Sequence, residues 1–433
     1  MPENPYASPN VAAAIQTPAS PIRNLGWRVT LAGLGINLAL GILYSWSVIS
    51  KRVPAEWNWT DADKSWPFSL ACLIFSLIMV PAGWMQDRVG PRLTATIGGL
   101  LVGLGMILAS FTTTPAGYII GFGLLAGAGF GFGYASATPP AVKWFPAART
   151  GLIAGLVVSG FGLASVYTSP LTKWLVGAYG LPRAVMLLGI LFLFVVTVLA
   201  QLLKTPPKGY VPPGSAPTAS GPRNKEEYRP VEMLGTWQFY LLWFIYACGA
   251  GAGLMIIAKL DPIVSLQAGM ERGFLLVAVL AIGNGAGRIV AGSLSDRIGR
   301  KATLLLCLAM QATMIMILSR MHKDSILAQP AVLALVSALI GANYGANLSL
   351  LPSITKDYYG LKNFGMNYGL VFTAWGVGGF ILPLVAGKVF DQSKVDGSAG
   401  SFEIAYYCAA ASLAVAAVAT LILQAPRQQE AKL

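Results

Sequence analysis

GWMQDRVGPR at residues 83–92 and GSLSDRIGRK at residues 292–301 are one loop written twice. Gly83 aligns with Gly292, Asp87 with Asp296, Arg88 with Arg297 and Gly90 with Gly299, each pair 209 residues apart. One such match would carry little weight. Two, each following an apolar run at the same place in its half of the chain, mark an internal duplication. The glycines suit tight turns, and each aspartate can accept from a helix N-terminus or a basic side chain. These eight residues are expected to be gating and structural parts rather than substrate ligands.

The runs on either side decide the class. Of the 433 residues, 55% are hydrophobic and 11% charged, and the mean hydropathy is +0.64. Soluble domains carry about 25% charged residues, so this chain belongs in a bilayer. Apolar runs fall at 25–50, 65–85, 93–112, 115–140, 150–178, 183–203, 235–259, 272–294, 301–319, 329–352, 364–388 and 400–424. They are too long and too unalternating for barrel strands, which leaves helices. The expected fold is an all-α membrane protein of twelve transmembrane helices in two pseudo-symmetric six-helix halves. Residues 204–234, rich in Pro, Gly and Ser, read as a linker between a half at 23–203 and a half at 235–424. Residues 1–22 and 425–433 read as polar tails, the first disordered and without the pattern of a cleaved signal.

A net charge of +13 would suit nucleic acid if it were clustered, but the basic residues are spread over the loops. With these helices, 18 basic residues fall on the side shared by both termini and 11 on the other, leaving one of the 30 inside. The positive-inside bias then puts both termini in the cytoplasm, in what is expected to be a bacterial inner membrane. Cys72, Cys248, Cys307 and Cys408 lie in apolar runs without metal-ligand spacing and read as packed thiols. His322 sits in the short RMHKD loop and reads as solvated. No cofactor, metal or enzymatic chemistry is expected. The stretches GFGLLAG (121–127) and GNGAG (283–287) lack the strand context of nucleotide loops and fit close helix packing instead.

The repeated G-x-x-x-D-R-x-G motif, with the twelve runs and the central linker, resembles the major facilitator superfamily. That resemblance implies alternating access around a central cavity, lined by helices 1, 4, 7 and 10 and parts of 2, 5, 8 and 11. GILYSWSVISKRV (41–53) and PPAVKWFPAARTGLIAGLVVSGFGLAS (139–165) further resemble the oxalate/formate antiporter family, and the second stretch also the monocarboxylate transporters. NGAGR (284–288) in the eighth run is the third such stretch.

The basic residue left inside is Arg288, the single charge in the 22 residues from Gly273 to Leu294. Such an arginine costs about 2.5–3.5 kcal/mol on insertion scales, so something must offset it. Structural pairing, snorkelling to the interface and a misplaced boundary are the bland readings. In the functional reading, the guanidinium waits for an anion that matches its donor fork. Asn284, one turn away on the same face, would donate to a second substrate group. One cation neutralises one carboxylate, and a dianion would leave a charge uncompensated. Relatives that exchange oxalate carry a lysine in the eleventh helix where FTAWGVGG (372–379) has Trp375, which favours a monocarboxylate.

Weaker candidates to line the cavity are Tyr44, Tyr134, Tyr344, Asn343, Asn347, Phe372 and Trp375. Packing and interhelical hydrogen bonds compete with function at each. Trp57, Trp59 and Trp66 read as interfacial anchors. In the monocarboxylate transporters the residue matching Asn284 is an aspartate linked to proton coupling. Asn284 cannot titrate, so a coupling proton would travel with the substrate or through Asp261 at a helix end. The expected function is secondary transport of a small monocarboxylate such as lactate, pyruvate or formate, proton-coupled, by a monomer. An oxalate/formate-type exchanger and a non-transporting carboxylate sensor are the alternatives.

Overall fold

The computed structural model describes residues 24–146, 149–207, 210–212, 227–360, 363–394 and 400–426. The N-terminal tail, most of the C-terminal tail and the middle of the linker lie outside these residues. Among the described residues, twelve helices are long and apolar enough to cross a membrane. They are α1 (Gly26–Ser50), α2 (Asp61–Arg88), α3 (Pro91–Ser110), α4 (Pro115–Val142), α5 (Leu152–Tyr179) and α6 (Leu181–Ala200). After the linker come α7 (Trp237–Ala268), α8 (Gly273–Ile298), α9 (Arg300–Ser319), α10 (Pro330–Tyr359), α11 (Phe364–Gln392) and α12 (Glu403–Ile422). Twelve crossings return the chain to its starting side. That side is called the terminal face below, and the opposite side the distal face.

The packing repeats with the sequence. In the first half α3 packs on α6, α2 on α4 and α1 on α5; in the second, α9 packs on α12, α8 on α10 and α7 on α11. The halves meet along two seams, α2 against α11 and α5 against α8. Leu100, Leu104 and Leu108 of α3, Ile190, Phe194 and Val198 of α6, and Val415, Val418 and Ile422 of α12 are exposed, as a lipid-facing rim requires. Of the four thiols, Cys72, Cys248 and Cys307 are buried, but Cys408 on α12 is exposed on that rim rather than packed inside. Trp59 is buried too, its Nε1 donating to the Thr113 carbonyl (2.8 Å), so it wedges loops together instead of floating at an interface.

The repeated loop takes the same shape in both halves. Gly90 at φ +108° precedes α3 and Gly299 at φ +92° precedes α9, conformations that a side chain would strain. Gly83 and Gly292 are different: they lie inside α2 and α8, so they serve no turn. Asp87 pairs with Lys143 at the end of α4 (4.0 Å), and Arg88 lies over the Trp84 ring (4.4 Å). Asp296 pairs with Arg300 (2.8 Å), which also reaches Asp357 at the end of α10 (3.5 Å).

Several helices outrun the apolar stretches that betray them. α7 continues to Ala268 and α10 to Tyr359, where hydropathy alone stops at 259 and 352. Charged residues in these extensions resemble loop residues in the sequence. In the fold Asp261 is met by Lys51 and Arg52 and Asp357 by Arg300, which lets the helical backbone continue past them.

Candidate functional site

The middle of the molecule is built from small residues that bring backbones together and aromatic ones that fill what remains. α1 tightens to a 3-10 turn over Gly41–Ser45, and Tyr44 leaves this turn toward the other half. Its hydroxyl lies 2.6 Å from that of Tyr344 on α10, which also accepts from Trp375 Nε1 on α11 (2.8 Å). Phe372 stacks on Trp375 (5.2 Å between centroids, 13° between planes) and faces Tyr134 of α4 (6.3 Å, 18°). Phe75 of α2 meets Trp375 edge-on at 5.2 Å, and Phe161 of α5 meets Tyr44 edge-on at 5.0 Å. Both halves contribute to this layer, so any opening between them must part it.

Arg288 reaches the seam between α8 and α5. Its Nη1 donates to the Val158 carbonyl of α5 (3.0 Å) and its Nε to Asn284 Oδ1 (3.2 Å). Among the described residues it has no carboxylate within ion-pair distance, and Nη2 has no hydrogen-bond partner. Asn284 is fully buried, and its Nδ2 also has no partner. A buried amide left this way costs about 1–3 kcal/mol, so its retention calls for an explanation. Both free donors flank the space above Gly162: a methyl group there would lie 3.2 Å from Arg288 Nη2 and 3.3 Å from Asn284 Nδ2. The guanidinium is also within electrostatic range of Tyr44, Tyr134, Tyr344 and Tyr368. The site thus offers donors and one fixed positive charge, which suits a small anion.

The structure therefore gathers Arg288, Asn284, Tyr44, Tyr134, Tyr344, Phe372 and Trp375 about one centre. It places Asn343 and Asn347 elsewhere. Asn343 Nδ2 bonds back to the Leu339 carbonyl of its own helix (3.0 Å). Asn347 donates to the Asn343 carbonyl (3.1 Å) and toward Gln311 Oε1 of α9 (3.5 Å), while its Oδ1 abuts Gly249 of α7. Asn343 is thus spent within α10, and Asn347 joins α10 to α7 and α9. Gly162, the Val158 carbonyl, Phe75 and Phe161 belong to the centre but carry no mark in a single sequence. Their role emerges only when α5 is laid against α8.

Asp261 is likewise distant from the centre. It touches Gly273 at the start of α8, and Arg288 lies 15 residues further on, about 22 Å along the helix. Asp261 is fully buried and accepts from Lys51 Nζ (3.0 Å) and Arg52 Nη1 (3.1 Å), which lie just beyond α1. Lys51 and Asp261 are 210 residues apart, as are Tyr134 and Tyr344. Opposite charges at equivalent places in a duplicated chain can pair across the pseudo-twofold axis, a signal available in the sequence. A second cluster joins the halves beside it. Buried Lys259 of α7 donates to the Asp61 carbonyl (3.1 Å), and Asp391 of α11 accepts from the Asp61 and Ala62 backbone amides at the start of α2 (3.0 and 2.8 Å). The distal face is closed by these contacts.

The terminal face is not closed in this way. Along the α2/α11 seam, a methyl group on Gly387 would run into Asp61 and Ser65, on Gly379 into Cys72, and on Gly376 into Ser76. At Gly369 it would meet Val80 in ordinary contact, and at Gly365 and Gly83 nothing within 4 Å. The seam is tight at the distal end and parted at the terminal end. Among the described residues, no group of three or more His, Cys, Asp or Glu side chains is placed to hold a metal ion.

Comparison with known proteins agrees with this architecture. The Major Facilitator Superfamily model matches residues 29–283 and 267–433. The chain belongs to that superfamily, whose members are transporters. It is 27% identical over 357 residues to the "Uncharacterized MFS-type transporter YhjX" of Escherichia coli (strain K12), covering 81% of this chain and 85% of that one. It is 27% identical over 354 residues to the "Oxalate:formate antiporter" of Oxalobacter formigenes, covering 81% of each. Human "Monocarboxylate transporter 11" is 29% identical over 304 residues, 67% of this chain and 61% of that one. Among solved structures, a bacterial homologue of the human lysosomal transporter Spinster shares the fold. Its inward-facing unoccupied form gives a TM-score of 0.60 at 16% identity, covering 94% and 96% of the two chains. Its occupied form gives 0.64 at 15%, covering 93% and 97%.

Proposed function

We propose that this protein carries small monocarboxylates of the lactate, pyruvate or formate type across a bacterial inner membrane, with both termini in the cytoplasm. The observation that carries this reading is the pair of free donors, Arg288 Nη2 and Asn284 Nδ2, converging above Gly162 on an otherwise apolar, aromatic centre. A carboxylate there would accept from one donor at each oxygen and neutralise the guanidinium. The carboxylate-carrier names of relatives point the same way. A monocarboxylate fits better than oxalate because Arg288 is the one cation at the centre among the described residues, and Trp375 presents an apolar wall beside it. With the terminal seam parted and the distal face latched, the conformation is open to the cytoplasm on this reading. The repeated loops, with Gly83, Asp87, Arg88 and Gly90 and with Gly292, Asp296, Arg297 and Gly299, would brace the closing of that side.

Coupling follows from the same placement. Asp261 serves the distal latch, which leaves the substrate rather than that carboxylate as the partner of the coupling proton. The test is uptake of labelled L-lactate by proteoliposomes holding the purified protein. Accumulation driven by an inward proton gradient in otherwise empty vesicles is the expected result. Uptake into vesicles loaded with formate or oxalate alone would make the protein an exchanger, as the Oxalobacter relative is named. No uptake under either condition would overturn the substrate assignment.

A further inference from the structure

We propose that the distal face carries a second anion site, distinct from Arg288, that binds a small divalent oxyanion across the two halves. A cavity of about 410 Å³ lies there, among whose lining residues are Lys51 and Lys64 from the first half, Lys259 and Lys323 from the second, and, as the single acid among the described residues, Asp61. Four cations against one carboxylate is an unbalanced wall. The imbalance persists when the neighbouring ion pairs are counted. Lys51 is engaged by Asp261, and Lys259 by Asp61. Lys64 and Lys323 have no ion-pair partner among the described residues. Buried Lys259 feels Asp61 and Asp391 as counterions but also Lys64 and Lys394 as like charges, and Lys394 itself draws on both of those carboxylates. An anion in the cavity relieves that repulsion.

The two uncommitted lysines sit on opposite halves and line the same cavity, which suits a ligand with two acidic groups or a tetrahedral oxyanion. Ser50 and Ser265, one from each half, also line the cavity and supply neutral donors. Because its contacts span the seam, such a ligand binds the distally closed form better than one in which the halves have parted. It therefore shifts the population toward closure. Arg288, about 22 Å along α8 from its distal end, is not among the residues lining this cavity.

Sulfate is the probe. The melting temperature of the purified protein in detergent would be followed with millimolar sulfate against isethionate at matched ionic strength. Sulfate should raise it in the wild type and in Arg288→Gln, and the rise should be lost in Lys64→Gln/Lys323→Gln. Each single variant should show a smaller rise, and serves if the double variant does not fold. A rise that persists undiminished in the lysine variants, that disappears in Arg288→Gln, or that is absent from the wild type would overturn the proposal. The Arg288→Gln arm separates this site from the central one: failure of the carboxylate assignment leaves the lysine dependence intact.

Discussion

At the scale of single residues the unusual atoms are donors without acceptors. Arg288 makes two hydrogen bonds, to Val158 and Asn284, which offset part of its insertion cost while leaving Nη2 free. Replacing it with glutamine removes the charge and the fork. Two charge-assisted bonds at about 1.5–3 kcal/mol each correspond to a loss of about 100-fold or more in uptake efficiency. Yield and melting temperature of Arg288→Gln should stay near those of the wild type, and near-normal lactate uptake would remove the anchor role. Lysine at 288 keeps the charge without the fork and should fall between. Gly162→Ala tests the convergence point itself. Its methyl group presses on both donors, and an overpacking cost of about 1.4 kcal/mol, toward the low end of the usual 1–3, raises KM about tenfold. An unchanged KM would mean that the anion sits elsewhere. Arg288 and Asn284 could be read from the sequence because a lone charge one turn from an amide stands out in an apolar run. Gly162 could not, since a glycine in a small-residue helix has many neighbours to explain it.

At the scale of helices, α1 and α7 show why charge near a helix end misleads. Hydropathy stops α7 at 259, yet Lys259 and Asp261 are buried within a helix that runs to Ala268. A single sequence reveals the charges but not their partners, and partners decide whether such residues are loop or core. The Lys51–Asp261–Arg52 cluster makes the two helices act as one latch. Asp261→Asn leaves two cations facing each other with no counterion. The lost bonds are worth about 1.5–3 kcal/mol each, less here because Lys51 and Arg52 keep some access to water. The distal face should then open more often, read as faster labelling of a cysteine introduced at Ser50. Unchanged labelling would show that Asp261 does not hold the latch. A charge-reversed pair, Lys51→Asp with Asp261→Lys, should recover slower labelling only in part, because Arg52 then faces a lysine.

At the scale of the whole molecule, duplication explains both the symmetry and the asymmetry. Equivalent helices form equivalent contacts, but the two ends of the α2/α11 seam differ in this conformation, and exchanging that difference is what alternating access requires. The α2/α11 seam carries glycines along its whole length, although here only those toward the distal end are in close contact. Gly83 and Gly365 have no steric task in this state, so their smallness must serve the opposite one, in which the terminal ends approach as the distal ends do now. Gly83→Leu should therefore leave the present conformation undisturbed: the melting temperature holds, and lactate still binds from the terminal face. The added side chain should instead wedge the seam apart when that face tries to close, lowering uptake by tenfold or more through a difference of about 1.4 kcal/mol between states. Leucine at Gly379, which already abuts Cys72 and Leu254, should have the reverse signature, destabilising the present state at once. If Gly83→Leu transports normally, the terminal ends of α2 and α11 never close on each other, and the exchange of access must run through the α5/α8 seam that Arg288 spans.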